Sequence, residues 1–577
     1  MAPYFRQTPF FLRQIWPVIL VGATFELLTP AAFAQPSDLD TRQLQRQQAR
    51  EKDLRETLQP DAGRPQAAAP PSPDRLLPSD ETPCWPVDRI ELESAMADRF
   101  DWLVEAASGD EGHDSPIARC LGAQGIDVVL QRLQHALVAR GLVTTRALVG
   151  PQALREGVLR VTVIPGVVHE VRLTDDSSPR AGLWNGLPMR PGELLRLRDV
   201  EQGLENLQRV PTAQADIRIE PTHDGASPGN SDLLVRYQQR LPLRLNLLAD
   251  DGGTRATGKR QGTATISYDN WWTLNDLFYL SLGHDLGGSA GRGTRSASAH
   301  YSVPFDYWLA GVTVSRNRYF QSVAGASQTY RYGGESETAE LRASRVLWRD
   351  AKRKLSASLR GFHRNSTSFI DDTEIEVQHR VTAGWEAGFS HREYVGDGVI
   401  DAALAWKRGT GAFGAQPAPE EPFGEGMSRM KVLTADLAVT KPWTSAGQRL
   451  RYSGTWRGQW NRTPLTPQDR FAIGGRYSVR GFDGESALLA ERGWFWRNDL
   501  ALAFAGEQQV YLGVDTGRVG GTSAQYLVGR SLTGAVLGLR GAWQAVSYDV
   551  FVGRPLARPH GFQTAATTAG FNLSVGF

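Results

Sequence analysis

From about residue 240 to the end of the chain, apolar and polar residues alternate with a period of two. Leu241, Leu243, Leu245 and Leu247 alternate with Pro242, Arg244 and Asn246. Ala297, Ala299, Tyr301 and Val303 alternate with Ser296, Ser298, His300 and Ser302, and Val546, Tyr548, Val550 and Val552 continue the theme. Successive side chains of a strand point to opposite faces, so each run predicts a strand with one apolar and one polar face. Gly- and Asp-rich stretches such as 250–253 and 285–293 lie between the runs and predict turns. The closing stretch places Phe571, Leu573, Val575 and Phe577 on one face and stops on an aromatic carboxy-terminus, which reads as the assembly signal of a bacterial outer-membrane barrel. A soluble β-sandwich alternates too, but 238–577 does so without a break. Lipid outside and water inside force this pattern, and closure leaves no backbone edge in hydrocarbon. At roughly 20 residues per strand with its share of loop, the segment holds about 16 antiparallel transmembrane strands, an even number as such barrels have.

Upstream the period changes. Residues 87–92 start as a strand, and Ile126, Val129, Leu130, Leu133 and Leu137 follow helical spacing up to Gly141, a C-cap position. Strand-like 142–147 and 158–164 come next. The pattern then repeats: 170–173 as strand, Val200, Leu204 and Leu207 on one helical face, and 215–220 and 232–237 as strands. This predicts two small α/β domains, 83–166 and 167–237. Six prolines between Pro60 and Pro78 make 59–82 a semi-extended tether. Before it, 35–58 reads as a helix charged on nearly every side, with Asp40 and Gln43 spaced as a capping box. A helix without an apolar stripe belongs in water or in a wet cavity; a disordered charged tail has the same composition. At the front, Arg6 and Arg13 precede the mostly apolar 15–28, and Ala32-Phe33-Ala34 supplies a small-x-small cleavage site, so 1–34 is expected to be an export signal.

Composition narrows the function. Beyond that signal no run of 18 uncharged apolar residues occurs, which excludes helical membrane spans. The 16 Trp, 15 Tyr and 22 Phe suit aromatic girdles over many short strands. A net charge of +2 without a basic block gives no sign of a nucleic-acid partner. The only cysteines, Cys84 and Cys120, read as one disulfide in an exported chain, with two unpaired buried thiols as the other reading; two thiols without matching histidines do not complete a metal site. Gly287-Gly288-Ser289-Ala290-Gly291 satisfies a nucleophile-elbow pattern but sits between two alternating strands with no helix to follow. There is no phosphate-binding Gly-Lys-Ser/Thr loop and no His-Glu-x-x-His stretch, and the ten histidines are dispersed. The sequence therefore predicts no catalytic residues, no metal and no cofactor, and a protein that is not an enzyme.

Two short motifs carry a family resemblance. Val479-Arg480-Gly481-Phe482 is similar to the Val-Arg-Gly-Tyr/Phe motif of the outer-membrane transporters of two-partner secretion, and Gly513-Val514-Asp515 to the family's Gly-x-Asp on a barrel strand. Cys84 and Cys120 resemble the cysteine pair of the haemolysin-type branch, and Gln152 and Gly157 the stretch before the first domain's final strand. The order of segments resembles that family over the whole mature chain. The resemblance implies two periplasmic polypeptide-transport-associated (POTRA) domains, a helix plugging the pore, and a loop around 470–490 folded back into the barrel. Arg480 at the loop tip would pair with Asp515, since an arginine drawn into a narrow lumen needs an acceptor and a bidentate carboxylate is the best one. It further implies export of a large partner protein with an N-terminal secretion domain (adhesin, haemolysin or contact-dependent inhibition toxin), with outer-membrane lipid and the barrel-assembly machinery as other partners. The alternative is an assembly factor that inserts outer-membrane barrels.

Overall fold

The structure, a computed structural model of the chain, describes residues 36–58, 75–109, 112–222 and 228–577. The export signal expected at 1–34 and most of the proline-rich stretch lie outside the described residues.

The first α/β unit is a three-stranded sheet. Val158–Ile164 lies in the centre, parallel to Arg89–Glu93 and antiparallel to Arg146–Leu148. The helix Ala123–Ala139 covers one face, burying Val129, Leu133 and Leu137 against Val87, Leu159 and Val161. The strand expected over 87–92 is interrupted at Asp88, because the N–H groups of Asp88 and Arg89 both donate to the Gly157 carbonyl (2.6 and 3.1 Å). Before that break Trp85–Val87 pairs with Arg119–Leu121, and a disulfide joins Cys84 to Cys120 with the Cα atoms 5.3 Å apart. The strand expected over 142–147 shrinks to Arg146–Leu148, since 142–145 form a turn whose buried Thr145 accepts a hydrogen bond from the Gly166 N–H. The second unit repeats the topology: Asn230–Gln239 is central, parallel to Val167–Leu173 and antiparallel to Ala213–Pro221, under the helix Leu197–Leu207.

The remainder is a closed antiparallel barrel of sixteen staves, running from Leu243–Asp250 to Thr568–Gly576. The two-residue strand Thr373–Glu374 hangs on the seventh stave, Arg353–Ile370, and is not counted. The ends meet by pairing Asn246–Asp250 with Asn572–Gly576, and Phe577 extends the seam through two backbone hydrogen bonds to Leu245 (2.9 and 3.2 Å). Burial is inverted relative to a soluble protein. Leu243, Leu245, Leu247, Leu280 and Leu282 are exposed on the outside, while Thr265, Ser267, Ser281, Ser298 and His300 are buried inside. A water-filled, side-chain-lined lumen within hydrocarbon demands that distribution. Among the described residues no helix is long and apolar enough to cross a membrane.

The second α/β unit is fastened to the barrel turns at one end. Asn185 donates to the Leu274 and Pro304 carbonyls (2.6 and 2.9 Å), and Asn206 to the Asp306 carbonyl (2.8 Å). Glu205 pairs with Lys354 and Arg349. Burial pushes the Glu205 carboxyl up, but the two cations outweigh it and hold it below the usual carboxylate range. These contacts define the end of the barrel that faces the α/β units.

Candidate functional site: a latched lumen

Between the eleventh stave, Gln448–Asn461, and the twelfth, Arg492–Ala505, the chain turns back into the barrel. It does so as a small hairpin in which Phe471–Ile473 pairs with Leu488–Ala490. Its apolar side chains find no core of their own and make one within the lumen: Phe471, Ile473, Val479, Phe482 and Leu488 pack with Phe495, Val519, Leu532 and Phe562. Phe482 meets Phe562 edge-on, with ring centroids 5.8 Å apart.

At the hairpin tip Arg480 is gripped by two carboxylates. Its Nε and Nη2 donate to both oxygens of Asp515 (2.7 and 2.8 Å), a bidentate pair, and its backbone N–H donates to the same carboxylate (2.9 Å). Nη2 and Nη1 also reach the two oxygens of Asp499 (2.5 and 3.3 Å). Arg480 is 4% exposed and Asp515 1%, so the pair is shielded from water. Asp499 in turn lies 3.5 Å from Arg540.

Glycines make room for the tip. A Cβ on Gly513 would fall 2.6 Å from Asp499 Oδ1 and 2.8 Å from Arg480 Nη2, so any side chain there displaces the ion pair. Gly481 holds φ at +90°, and a Cβ on it would strike the Arg554 carbonyl at 2.6 Å. On the wall beneath, a Cβ on Gly534 would lie 2.0 Å from the Arg480 carbonyl.

The base of the hairpin is held elsewhere on the wall. Asp469, 3% exposed, accepts from Lys407 (2.9 Å), Arg364 (3.2 Å) and Thr466 (3.0 Å). Lys407 and Arg364 lie on the ninth and seventh staves, Asp499 and Asp515 on the twelfth and thirteenth, so the hairpin is tied to separate stretches of wall.

The helix Pro36–Leu58 fills more of the same lumen. With 23 residues it is about 35 Å long. Its first half meets the hairpin: Arg46 donates to the Gly484 carbonyl (2.6 Å), Gln45 to that of Arg470 (2.6 Å), and Arg42 to that of Glu485. Gln43 donates to Thr257, and Arg50 pairs with Asp250 at 3.0 Å. Its last turns place Leu54 and Leu58 with Leu277 and Tyr279 of the barrel and with Val168 and Leu187 of the second α/β unit. A helix without an apolar stripe suits this setting, because nearly every partner is a carbonyl, a carboxylate or a hydroxyl.

The structure thus brings Val479, Arg480, Gly481, Phe482, Gly513 and Asp515 together. Cys84 and Cys120 lie in the first α/β unit and Phe571, Leu573, Val575 and Phe577 at the seam, apart from the latch. Sequence reading missed Asp499, although alternation along the twelfth stave, with Trp494, Trp496 and Leu500 exposed, already directs it inward. It also missed Asp469 and Gly534, the third glycine against the tip. Gly287 to Gly291 form the turn between two staves. Among the described residues no group of three His, Cys, Asp or Glu side chains could hold a metal ion.

Comparison with known proteins places this architecture. The profile of the haemolysin secretion/activation proteins ShlB/FhaC/HecB matches residues 229–541, a ShlB-type POTRA domain matches 86–166, and a POTRA domain matches 167–221. The chain is 36% identical to the outer membrane transporter CdiB-2 of Burkholderia pseudomallei (strain 1026b), over 87% of this chain and 88% of that one. It is 24% identical to the hemolysin transporter protein ShlB of Serratia marcescens, over 70% and 71%. The solved structure of CdiB from Acinetobacter baumannii superposes with a TM-score of 0.83 at 30% identity, covering 95% of this chain and all (100%) of that one.

Proposed function

The chain belongs to the haemolysin secretion/activation protein family ShlB/FhaC/HecB, and from that premise we propose that it is the outer-membrane pore through which one large partner protein leaves the periplasm. Its POTRA domains face the periplasm and its barrel crosses the outer membrane, as in the family's other transporters. The observation that carries the reading is a lumen filled by two parts that are not wall, a polar helix and a latched hairpin, in a barrel whose periplasmic mouth is bonded to the second POTRA domain. A passive solute pore needs neither part.

The partner is a secreted protein with an N-terminal secretion domain, of the haemolysin, adhesin or contact-dependent inhibition toxin class. It arrives unfolded, and the POTRA sheets offer edges and grooves where an extended chain can add backbone hydrogen bonds. Passage requires the helix to withdraw, exchanging its bonds to the hairpin and wall for water, and the Arg480 loop to shift along the wall while its tip keeps the anchor on Asp515 and Asp499 that holds the lumen in order. The periplasm holds no ATP, so folding of the emerged partner outside supplies direction. The barrel itself reaches the membrane through the barrel-assembly machinery, with Phe571, Leu573, Val575 and Phe577 presented on its closing stave.

The test compares released and surface proteins of the native strain, its deletion mutant and the complemented mutant. Loss of one large protein in the deletion alone supports the reading. General depletion of outer-membrane proteins would instead make the chain an assembly factor.

A further inference from the structure

The outer wall carries a cluster of charges at the upper border of its apolar band. Strand register sets His284, Arg295, Arg318 and Glu335 side by side across the third to sixth staves. The next outward row is Leu282, Ala297, Arg316 and Glu337, and the one below it is Leu280, Ala299, Val314 and Ala339. The charges therefore stand directly above an apolar wall. They lie toward the stave ends remote from the turns that hold the second POTRA domain, which is the extracellular half. Their side chains are outside the lumen: Arg316 and Arg318 remain 49% and 56% exposed while Asn317 and Tyr319 between and beside them are buried.

The arrangement is organised rather than scattered. Glu335, only 19% exposed, accepts from the Nε of both Arg316 and Arg318, and Glu337 lies 3.2 Å from Arg316. Arg295 Nε is 3.3 Å from His284 Nε2. Arg295, Arg316 and Arg318 line one side of a groove of about 880 Å³ that runs to the barrel seam, with Leu247, Ala249, Leu282, Leu286, Leu573 and Val575 as its apolar lining. Three arginines against two carboxylates leave the rim positive.

We propose that this groove binds a phosphorylated, multiply acylated lipid of the outer leaflet, of the lipid A class. An acyl chain lies along the leucines of the seam, and a phosphate meets the guanidinium row above it. Guanidinium matches phosphate bidentately, and at the edge of hydrocarbon the pair is poorly screened, which makes arginine the residue for this site. Glu335 holds the two guanidinium groups side by side. The site lies on the outer wall, and neither the latch nor the helix contributes to it.

The test measures lipid binding by native mass spectrometry on the full chain in detergent, using diphosphoryl lipid A, its dephosphorylated counterpart and phosphatidylglycerol. The wild type is expected to hold diphosphoryl lipid A at least about tenfold more tightly than either other lipid, as loss of charge-assisted hydrogen bonds to phosphate implies. Arg316→Gln with Arg318→Gln should lose that preference while the barrel keeps its heat-modifiable migration. Inorganic phosphate at equal concentration should not displace the lipid, because it lacks the acyl chains. Equal binding of the three lipids by the wild type would overturn the proposal, whatever the folding of the variant. So would an unchanged preference in a folded variant, or displacement by inorganic phosphate.

Discussion

Replacing Arg480 by alanine removes four side-chain hydrogen bonds at once, two to Asp515 and two to Asp499, and leaves Asp515 the backbone N–H groups of residue 480 and Asn498 (2.9 and 3.4 Å). Asp515, 1% exposed in the wild type, is left with Arg497 4.0 Å away as its remaining cation. Asp499 keeps Arg540 at 3.5 Å. Removing one member of a buried, hydrogen-bonded ion pair costs about 3–5 kcal/mol, because the stranded charge stays desolvated. At about 1.4 kcal/mol per factor of ten, the seated hairpin loses roughly two to three and a half decades of preference over the displaced one. The barrel wall does not depend on the pair, so staves should still assemble. The expected result is a heat-modifiable barrel whose hairpin becomes cleavable by added protease and whose export falls strongly. Adding Asp515→Asn removes the stranded charge and should recover part of the loss, with a coupling of about 1–3 kcal/mol between the two positions. Normal export with a protease-resistant hairpin in Arg480→Ala, or additive effects in the double variant, would refute the latch.

Three other outcomes follow from the same geometry. Gly513→Ala puts a methyl within 2.8 Å of Arg480 Nη2 and should unseat the hairpin as Arg480→Ala does, whereas Gly361→Ala, whose Cβ meets nothing within 4 Å, should not; protease accessibility compares them. Deleting Phe577 removes its two backbone hydrogen bonds to Leu245 from a seam paired over only Asn246–Asp250, and should lower the yield of heat-modifiable barrel in outer membranes. The Glu205 carboxyl is held below its usual range at the POTRA–barrel junction, so its contribution is fully present above the unfolded value of about 4.3 and is lost as pH falls below it. POTRA docking, read as protease resistance of the junction, should be constant from pH 7 to 5 and weaken below about pH 4, and Glu205→Gln should remove that dependence.

Much of the barrel was legible because lipid enforces alternation residue by residue. The pairs Leu245–Asn246 and Tyr301–Ser302 each report which way the wall faces. The latch was half legible. Arg480 stands in a recognisable tetrapeptide and Asp515 in a tripeptide, but Asp499 joins them only because register sets it opposite Gly513, and register is a property of paired strands. Gly534 was invisible for the same reason: it matters through the Arg480 carbonyl, which lies far away in sequence. The helix reads as polar all round, but only the family resemblance put it in the pore: Arg42, Arg46 and Gln45 donate to backbone carbonyls that any residue supplies, so its own pattern names no site. The POTRA–barrel junction was missed because Asn185 and Asn206 look like ordinary loop and helix amides until the turns they hold are folded beneath them. In the first POTRA domain local pattern overreached: 142–147 looks continuous as a strand, but only its last residues find a neighbour.

The central claim is that the partner passes through the lumen that the helix now occupies. Gln43 donates a hydrogen bond to Thr257, so cysteines at these two positions, bridged by a short thiol-specific cross-linker with a cleavable disulfide that replaces the length of the glutamine arm, can tie the helix to the barrel. Export by Gln43→Cys/Thr257→Cys is measured before and after mild reduction, with the wild type reduced in parallel to account for the Cys84–Cys120 bond. The account predicts that the cross-linked variant exports nothing and that cleaving the cross-link by reduction restores release of the partner to the wild-type rate. Undiminished export by a fully cross-linked variant would contradict it, because the partner would then be leaving by a route other than this lumen.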